Sequence, residues 1–200
     1  MRLFLDIETI PASQKDHEYL KEEFLKKPRE IEFAQFVEST SLDGNFGRIF
    51  CIGYAVDDKP AEVFDGAEAD ILKQFWGLAA QAHLFIGHNV MEFDLPFILK
   101  RSAIHRIKPS QTLSFARYRS APIFDTMREW EQWAMRSATS LKTLGHVLGI
   151  PIKKGLSGSD VPNLYKEGRL EEIKQYCARD VELTRAIYER MTFQTGVNSK

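Results

Sequence analysis

The chain has 200 residues, 44% of them hydrophobic, and a formal net charge of −1, which suits one domain with a substantial core. So small a net charge gives no global positive field to attract nucleic acid, although a local groove can be basic on a neutral protein. No run of about 18 apolar residues exists to cross a membrane, and Asp6 comes too early for a secretory hydrophobic region, so no membrane contact and a cytoplasmic location are expected.

Residues 2–8 alternate, with Leu3, Leu5 and Ile7 on one face and Phe4, Asp6 and Glu8 on the other. That is a strand pattern, and Pro11 ends it. The charged segment 14–38, with Tyr19, Leu20, Glu23 and Phe24, reads as the centre of a helical insertion at about residues 11–47. Asp43-Gly44-Asn45 is a turn, Arg48–Val56 is a strong β run, and Asp57-Asp58 turns it towards a short strand near Ala61–Phe64. Ala67–Gln81 reads as a helix, His83–Gly87 as a buried strand, and Phe93–Ser102 as a helix with Pro96 in its first turn, where proline is tolerated. Residues 103–121 are loop-like and basic. Phe124–Trp133 and Leu141–Leu148 read as helices, with Gly149 as a C-cap. Residues 151–163 read as a loop and Leu170–Thr192 as a long helix. Strands come first, then alternate with helices, then give way to helices. The order predicts an α/β fold, a mixed central β-sheet flanked by α-helices, with residues 1–200 as one domain. Cys51 and Cys177 lack C-x-x-C spacing and read as reduced core residues.

Four acids stand where burial is expected: Asp6 and Glu8 in the first strand, Asp94 in Asn89-Val90-Met91-Glu92-Phe93-Asp94-Leu95-Pro96, and Asp180 in the last helix. A buried carboxylate is costly unless something compensates it. Several converging without Lys or Arg point to divalent metal and phosphoryl chemistry. Asp6 and Glu8, two apart on a strand, share a face and can converge on one ion; alternatively the strand end emerges into solvent. In the last helix Ile173, Cys177, Val181, Thr184, Ile187 and Met191 are the apolar positions. At about 100° per residue Asp180 falls within about 20° of Ile173 and Ile187. Tyr176 lies one turn earlier on the same face. An Arg or main-chain partner in the core is the alternative for Asp180. Asp94, just before Leu95-Pro96, also suits a helix N-cap, Asn89 an Asx turn, and Phe93 a core position.

Together, Asp6-Ile7-Glu8, the Asn89–Pro96 segment and Tyr176-Cys177-Ala178-Arg179-Asp180 resemble the three exonuclease motifs of the DEDD superfamily. The Tyr three residues before the last Asp resembles the tyrosine (DEDDy) branch. The second motif is especially similar to the proofreading exonuclease domain of family B DNA polymerases. The match runs in order across almost the whole chain and leaves no room for a polymerase domain, so the chain looks like a free-standing relative. The resemblance implies a ribonuclease H-like fold and 3′→5′ hydrolysis of a nucleic-acid strand, single-stranded DNA before RNA, releasing nucleoside 5′-monophosphates. It implies that Asp6 bridges two divalent ions, that Glu8 and Asp180 complete the site of one, and that Asp94 holds the other. Mg²⁺ is the expected ion, with Mn²⁺ substituting. Tyr176 is implied to orient the attacking water, since a phenol titrating near pH ~10 is a poor base. Asn89 and Phe93 are implied to contact the terminal nucleotides, Phe93 by stacking, with Thr9 and Ile10 in the same pocket.

Lys100, Arg101, Arg106, Lys108, Arg117 and Arg119 gather around Phe115 and Tyr118. Cations interleaved with aromatics suit a single strand, and a solvated loop surface equally. Lys153-Lys154 is a further candidate phosphate contact. Gly155-Leu156-Ser157-Gly158-Ser159 lacks the Lys-Ser/Thr ending of a P-loop, so ATP is not expected. Three other readings stay open: an exoribonuclease trimming RNA, a structure-selective endonuclease, against which Tyr176 argues, and a non-catalytic nucleic-acid-binding module of the same fold.

Overall fold

The alternating run at the N-terminus forms the central strand, β1 (Arg2–Ile10), in a computed structural model that describes residues 1–26, 28, 30–134, 137–152 and 155–194. The elements that follow are α1 (His17–Leu25), α2 (Phe33–Ser39), β2 (Arg48–Val56), β3 (Glu62–Asp65), α3 (Glu68–Ala79) and β4 (Leu84–Gly87). After them come α4 (Asp94–Ile104), β5 (Ile123–Asp125), α5 (Thr126–Trp130), α6 (Leu141–Val147), α7 (Val161–Lys166) and α8 (Leu170–Met191). The five strands lie in the order β3-β2-β1-β4-β5. β1, β2 and β3 pair antiparallel, while β4 runs parallel to β1 and β5 parallel to β4. A mixed sheet of this order with helices on both faces is ribonuclease H-like, as expected.

The strand's two faces separate as its alternation predicts. Leu3, Leu5 and Ile7 pack with Phe75 of α3 and with Leu95 and Ile98 of α4. Phe4 faces the other way, with Ala55, Ile86 and the α8 residues Val181 and Tyr188. Phe4, Leu5 and Ile86 are at most 1% exposed, and each such side chain contributes about 1.5–3 kcal/mol relative to exposure. Ile173, Tyr176, Cys177, Val181, Thr184, Ile187 and Tyr188 are the buried face of α8, spaced as an amphipathic helix requires. Gly53 on β2 lets α8 come close. A Cβ there would lie 2.8 Å from Cys177 Sγ and 3.0 Å from Val181 Cγ2, so any larger residue would push α8 off the sheet.

Two predicted elements change. Ile123–Asp125 is a strand rather than the approach to a helix at Phe124; it continues the parallel side of the sheet, and α5 occupies only Thr126–Trp130. The loop expected through residue 163 ends earlier, because Val161–Lys166 forms α7 with Pro162 in its first turn, a position that needs no N–H. Lys153-Lys154 falls outside the described residues.

Candidate metal centre

Asp6 and Glu8 project from β1 on the side that receives α8. Just past them the pairing of β1 with β2 slips: Glu8 faces Cys51, but Thr9 faces Ile49. Phe50 is therefore a bulge residue, and bulges bend a strand at its end. β4 pairs with β1 only as far as Phe4. Further along, the Ile7 N–H is taken by Asp94 Oδ1 at 3.0 Å. Asp94 is the first residue of α4, after Phe93 at the N-cap position, and is 3% exposed. The N-cap reading of Asp94 is thus corrected: its carboxylate accepts from its own N–H and from β1, tying the helix start between the two β1 acids.

Each of the four carboxylates is held above its ordinary pKa. For Asp6 burial is the main cause, followed by the charges of Glu8, Asp94 and Asp180. For Glu8 it is burial, then Cys51, Asp180 and Asp94. Asp94 is pushed up from 3.8 to about 7, by burial above all and by Asp125, against the two main-chain donors. Asp180 is raised by burial, while the Tyr176 hydroxyl, Lys142 and Arg179 pull it back. Its side chain is half-buried rather than enclosed in the helix stripe, so Asp180 sits at the rim of the cluster. Among the described residues no Lys or Arg forms an ion pair with any of the four. Asp6 and Glu8 thus feel the charges of Asp94 and Asp180 in a partly dry place with no ion-paired cation among the described residues, and a dication relieves that repulsion. Carboxylate oxygens are the donors that hard ions such as Mg²⁺ and Mn²⁺ take.

Ligand atoms of Asp6, Glu8 and Cys177 lie within 4.8 Å of one another. Cys177, read from the sequence only as core, is therefore also part of the cluster wall. Its Sγ lies 3.5 Å from both the carbonyl oxygen and Oδ2 of Asp6 and accepts the Gly53 N–H at 3.2 Å. Burial pushes its thiol pKa well up, so it is a protonated donor to Asp6. Both cysteines are buried and free, as expected.

Tyr176, one turn before Asp180, is 8% exposed and donates its hydroxyl to Asp180. Burial, then the charge of Asp180 and this bond, push the phenol far above its ordinary value. Lys142 Nζ lies 5.9 Å from the ring centroid and donates to the Leu156 carbonyl. Lys142 was not predicted: it lies on short α6, where nothing in the sequence points it at α8. With Tyr176, Asp180, Ile152, Leu156 and Leu183 it lines a cavity of about 260 Å³.

Asn89 has φ +60°, a left-handed conformation that Asn tolerates better than most residues. Its N–H and that of Met91 bond Asp125, both at 3.0 Å. Asp125 also caps α5 by accepting from Met127 and Arg128, so one buried carboxylate organises the loop before Asp94. An Asp between a strand and a helix is an N-cap signal, hidden in the sequence because the pattern starts the helix at Phe124. The Asn89 side-chain oxygen is buried and has no partner among the described residues. Phe93 is half-buried and tilts against Phe97 at 5.6 Å. Thr9 donates its hydroxyl to the Ser41 carbonyl at 2.7 Å, and Ile10 borders a different hollow, beside Arg48 and Tyr165. The basic segment divides. Arg101 is not a strand contact: Glu68 holds it in two bonds of 2.8 Å in a buried pair. Phe115 packs inward, whereas Lys100, Arg106, Lys108, Arg117 and Arg119 are exposed.

Fold and cluster together define a ribonuclease H-like domain with an acidic centre of the metal-binding kind. Over residues 22–200 the chain matches the family described as "Predicted 3'-5' exonuclease related to the exonuclease domain of PolB", and it belongs to that family. The match begins after β1, so Asp6 and Glu8 lie outside it. An uncharacterized protein of Methanocaldococcus jannaschii is 28% identical over 163 residues, covering 76% of this chain and 90% of the relative. Among the described residues no helix is long and apolar enough to cross a membrane.

Proposed function

We propose that this chain carries a 3′→5′ exonuclease domain of the tyrosine branch, acting on the 3′ end of single-stranded DNA and releasing nucleoside 5′-monophosphates. The observation that carries the reading is the cluster of four acids, each pushed up in pKa, with no ion-paired Lys or Arg among the described residues. Two divalent ions, Mg²⁺ or in its place Mn²⁺, held by Asp6, Glu8, Asp94 and Asp180, would supply an acidified water and neutralise the leaving oxygen.

The remaining work belongs to the chain's own groups. The phenol of Tyr176, which ordinarily titrates near ~10, is pushed higher still in the metal-free fold by burial and by Asp180. It therefore orients the attacking water by hydrogen bonding and is not its base. Asn89 offers an unused buried acceptor, suited to a hydroxyl donor such as the terminal 3′-OH. Half-buried Phe93 keeps part of its ring accessible, and the terminal base stacks on it. Lys142, beside Tyr176 and Asp180, is placed to contact the scissile phosphate.

Digestion of 3′-labelled single-stranded DNA, duplex DNA and RNA, with Mg²⁺, Mn²⁺ or EDTA, tests the assignment. Metal-dependent release of labelled mononucleotide, fastest from single-stranded DNA and stalled by a blocked 3′ end, is the expected result. Internal cutting of blocked strands, or no release from any substrate, refutes it.

A further inference from the structure

Between Asp94 and Asp125 the chain contains no acidic residue. Much of that stretch is the loop joining α4 to β5. From His105 to Phe115 half-buried residues alternate with exposed ones. Ile107, Leu113 and Phe115 pack on the main core, and Gln111 donates to the carbonyls of Ala79 and Ala82. The loop is therefore held to the body, with Arg106 and Lys108 outward. Its tip, residues 116–121, is wholly exposed, and there Arg117 and Arg119 flank Tyr118. Neither arginine forms an ion pair among the described residues.

Tyr118 is 72% exposed, an unusual place for a large aromatic ring. Its ring centroid lies 5.4 Å from that of Trp133, tilted by 46°. Trp133 packs on the core and donates to Glu129, which leaves it firmly held and half-buried. Tyr118, Gln132 and Trp133 have φ of +62°, +50° and +63°. Three non-glycine residues in the left-handed region around one ring pair is a concentration of backbone strain of the sort found at binding sites. The patch is also tied to the acidic centre. Asp125, at the start of α5, holds the Asn89–Met91 loop, Arg128 of α5 pairs with Glu92, and the Trp133 N–H bonds the Arg128 carbonyl at 2.9 Å.

We infer that Tyr118 and Trp133, flanked by Arg117 and Arg119, form a stacking platform for a base of single-stranded nucleic acid upstream of the 3′ end. A tilted ring pair open on one side accepts a base of any sequence, and two exposed guanidiniums match two phosphates. The platform deepens the exonuclease reading and rests on it for the direction of the strand. It makes affinity depend on strand length, since the base it holds belongs to a nucleotide upstream of the one at the acids.

The test measures binding of 5′-labelled oligothymidylate and oligouridylate, 3 and 15 nucleotides long by choice, through fluorescence anisotropy of the full chain in EDTA, where nothing is cut. Tyr118→Ala is expected to weaken the long strands roughly 5- to 150-fold. Arg117→Gln with Arg119→Gln is expected to flatten the salt dependence of their binding by about 1.4 in log–log slope, at ~0.7 per phosphate. All three side chains are exposed, so the variants keep the fold, which Trp133→Ala need not. Loss confined to DNA or to RNA assigns the platform to that polymer, and loss in both makes it blind to the sugar. Wild-type affinity and slope in both variants, or no binding of long strands by the wild type, overturns it. Mg²⁺-dependent digestion by the wild type is run beside it. Binding without cutting refutes the nuclease reading and leaves the platform, while cutting with unaffected variants refutes the platform alone.

Discussion

Asp94→Asn should stabilise the metal-free protein at neutral and alkaline pH, although it removes a proposed metal ligand. The carboxyl of Asp94 titrates at about 7 in the fold against 3.8 ordinarily, chiefly because it is buried. A carboxylate whose folded pKa lies above its unfolded value binds its proton more tightly in the fold. Its penalty is absent below the unfolded pKa, grows as pH rises, and is complete above the folded value. The difference corresponds to about 4 kcal/mol. Asp6 and Glu8 feel the same charge and can take up a proton in its place, so the relief lies between about 1 and about 4 kcal/mol. Asparagine keeps an oxygen for the Ile7 N–H, so little is lost in exchange. In EDTA at pH 8 the urea midpoint should rise by up to about 2 M, for a slope of about 2 kcal/mol per M, and at about pH 3, below the unfolded value, the gain should vanish. Adding Mg²⁺ should stabilise the wild type by mass action and the variant less. A variant less stable than the wild type at pH 8, or a gain that does not change with pH, would show that burying the charged Asp94 carboxylate carries no such penalty.

Other substitutions separate chemistry from architecture. Asp6→Asn and Asp180→Asn should each lower Mg²⁺-dependent nucleotide release at least ~10³-fold, equivalent to several kcal/mol of transition-state stabilisation, with unchanged circular dichroism. Tyr176→Phe should cost about 10- to 100-fold in kcat, the usual effect of removing a partner that orients a metal-bound group, with little change in KM. Arg101→Met leaves Glu68, 11% exposed, with only His105 and the Ile49 N–H as partners, so it should destabilise the fold by about 1–3 kcal/mol in urea titration while sparing activity per folded molecule. Weakened strand binding at unchanged stability would restore Arg101 to the strand-binding surface.

Much of the architecture was readable where pattern is local. β2 spans the predicted Arg48–Val56 run, and the two faces of β1 divide as its alternation says. What failed depended on partners distant in sequence. β5 has three residues, too few for a period, and exists because β4 pairs with it. Asp94 looked like a cap because the strand N–H that it accepts lies 87 positions away. Arg101 looked like a surface cation because Glu68 is 33 residues distant. The cluster itself was legible in three motifs. Lys142 and the Cys177 thiol were not, since each enters through helix packing that no spacing rule encodes.

Anomalous diffraction from crystals grown with Mn²⁺ tests the metal centre most directly. Two peaks about 3.5–4 Å apart are expected, with Asp6 between them and Glu8, Asp94 and Asp180 around them. A cluster without manganese at saturating concentration, or one closed by a Lys or Arg side chain turned into it, would contradict the account.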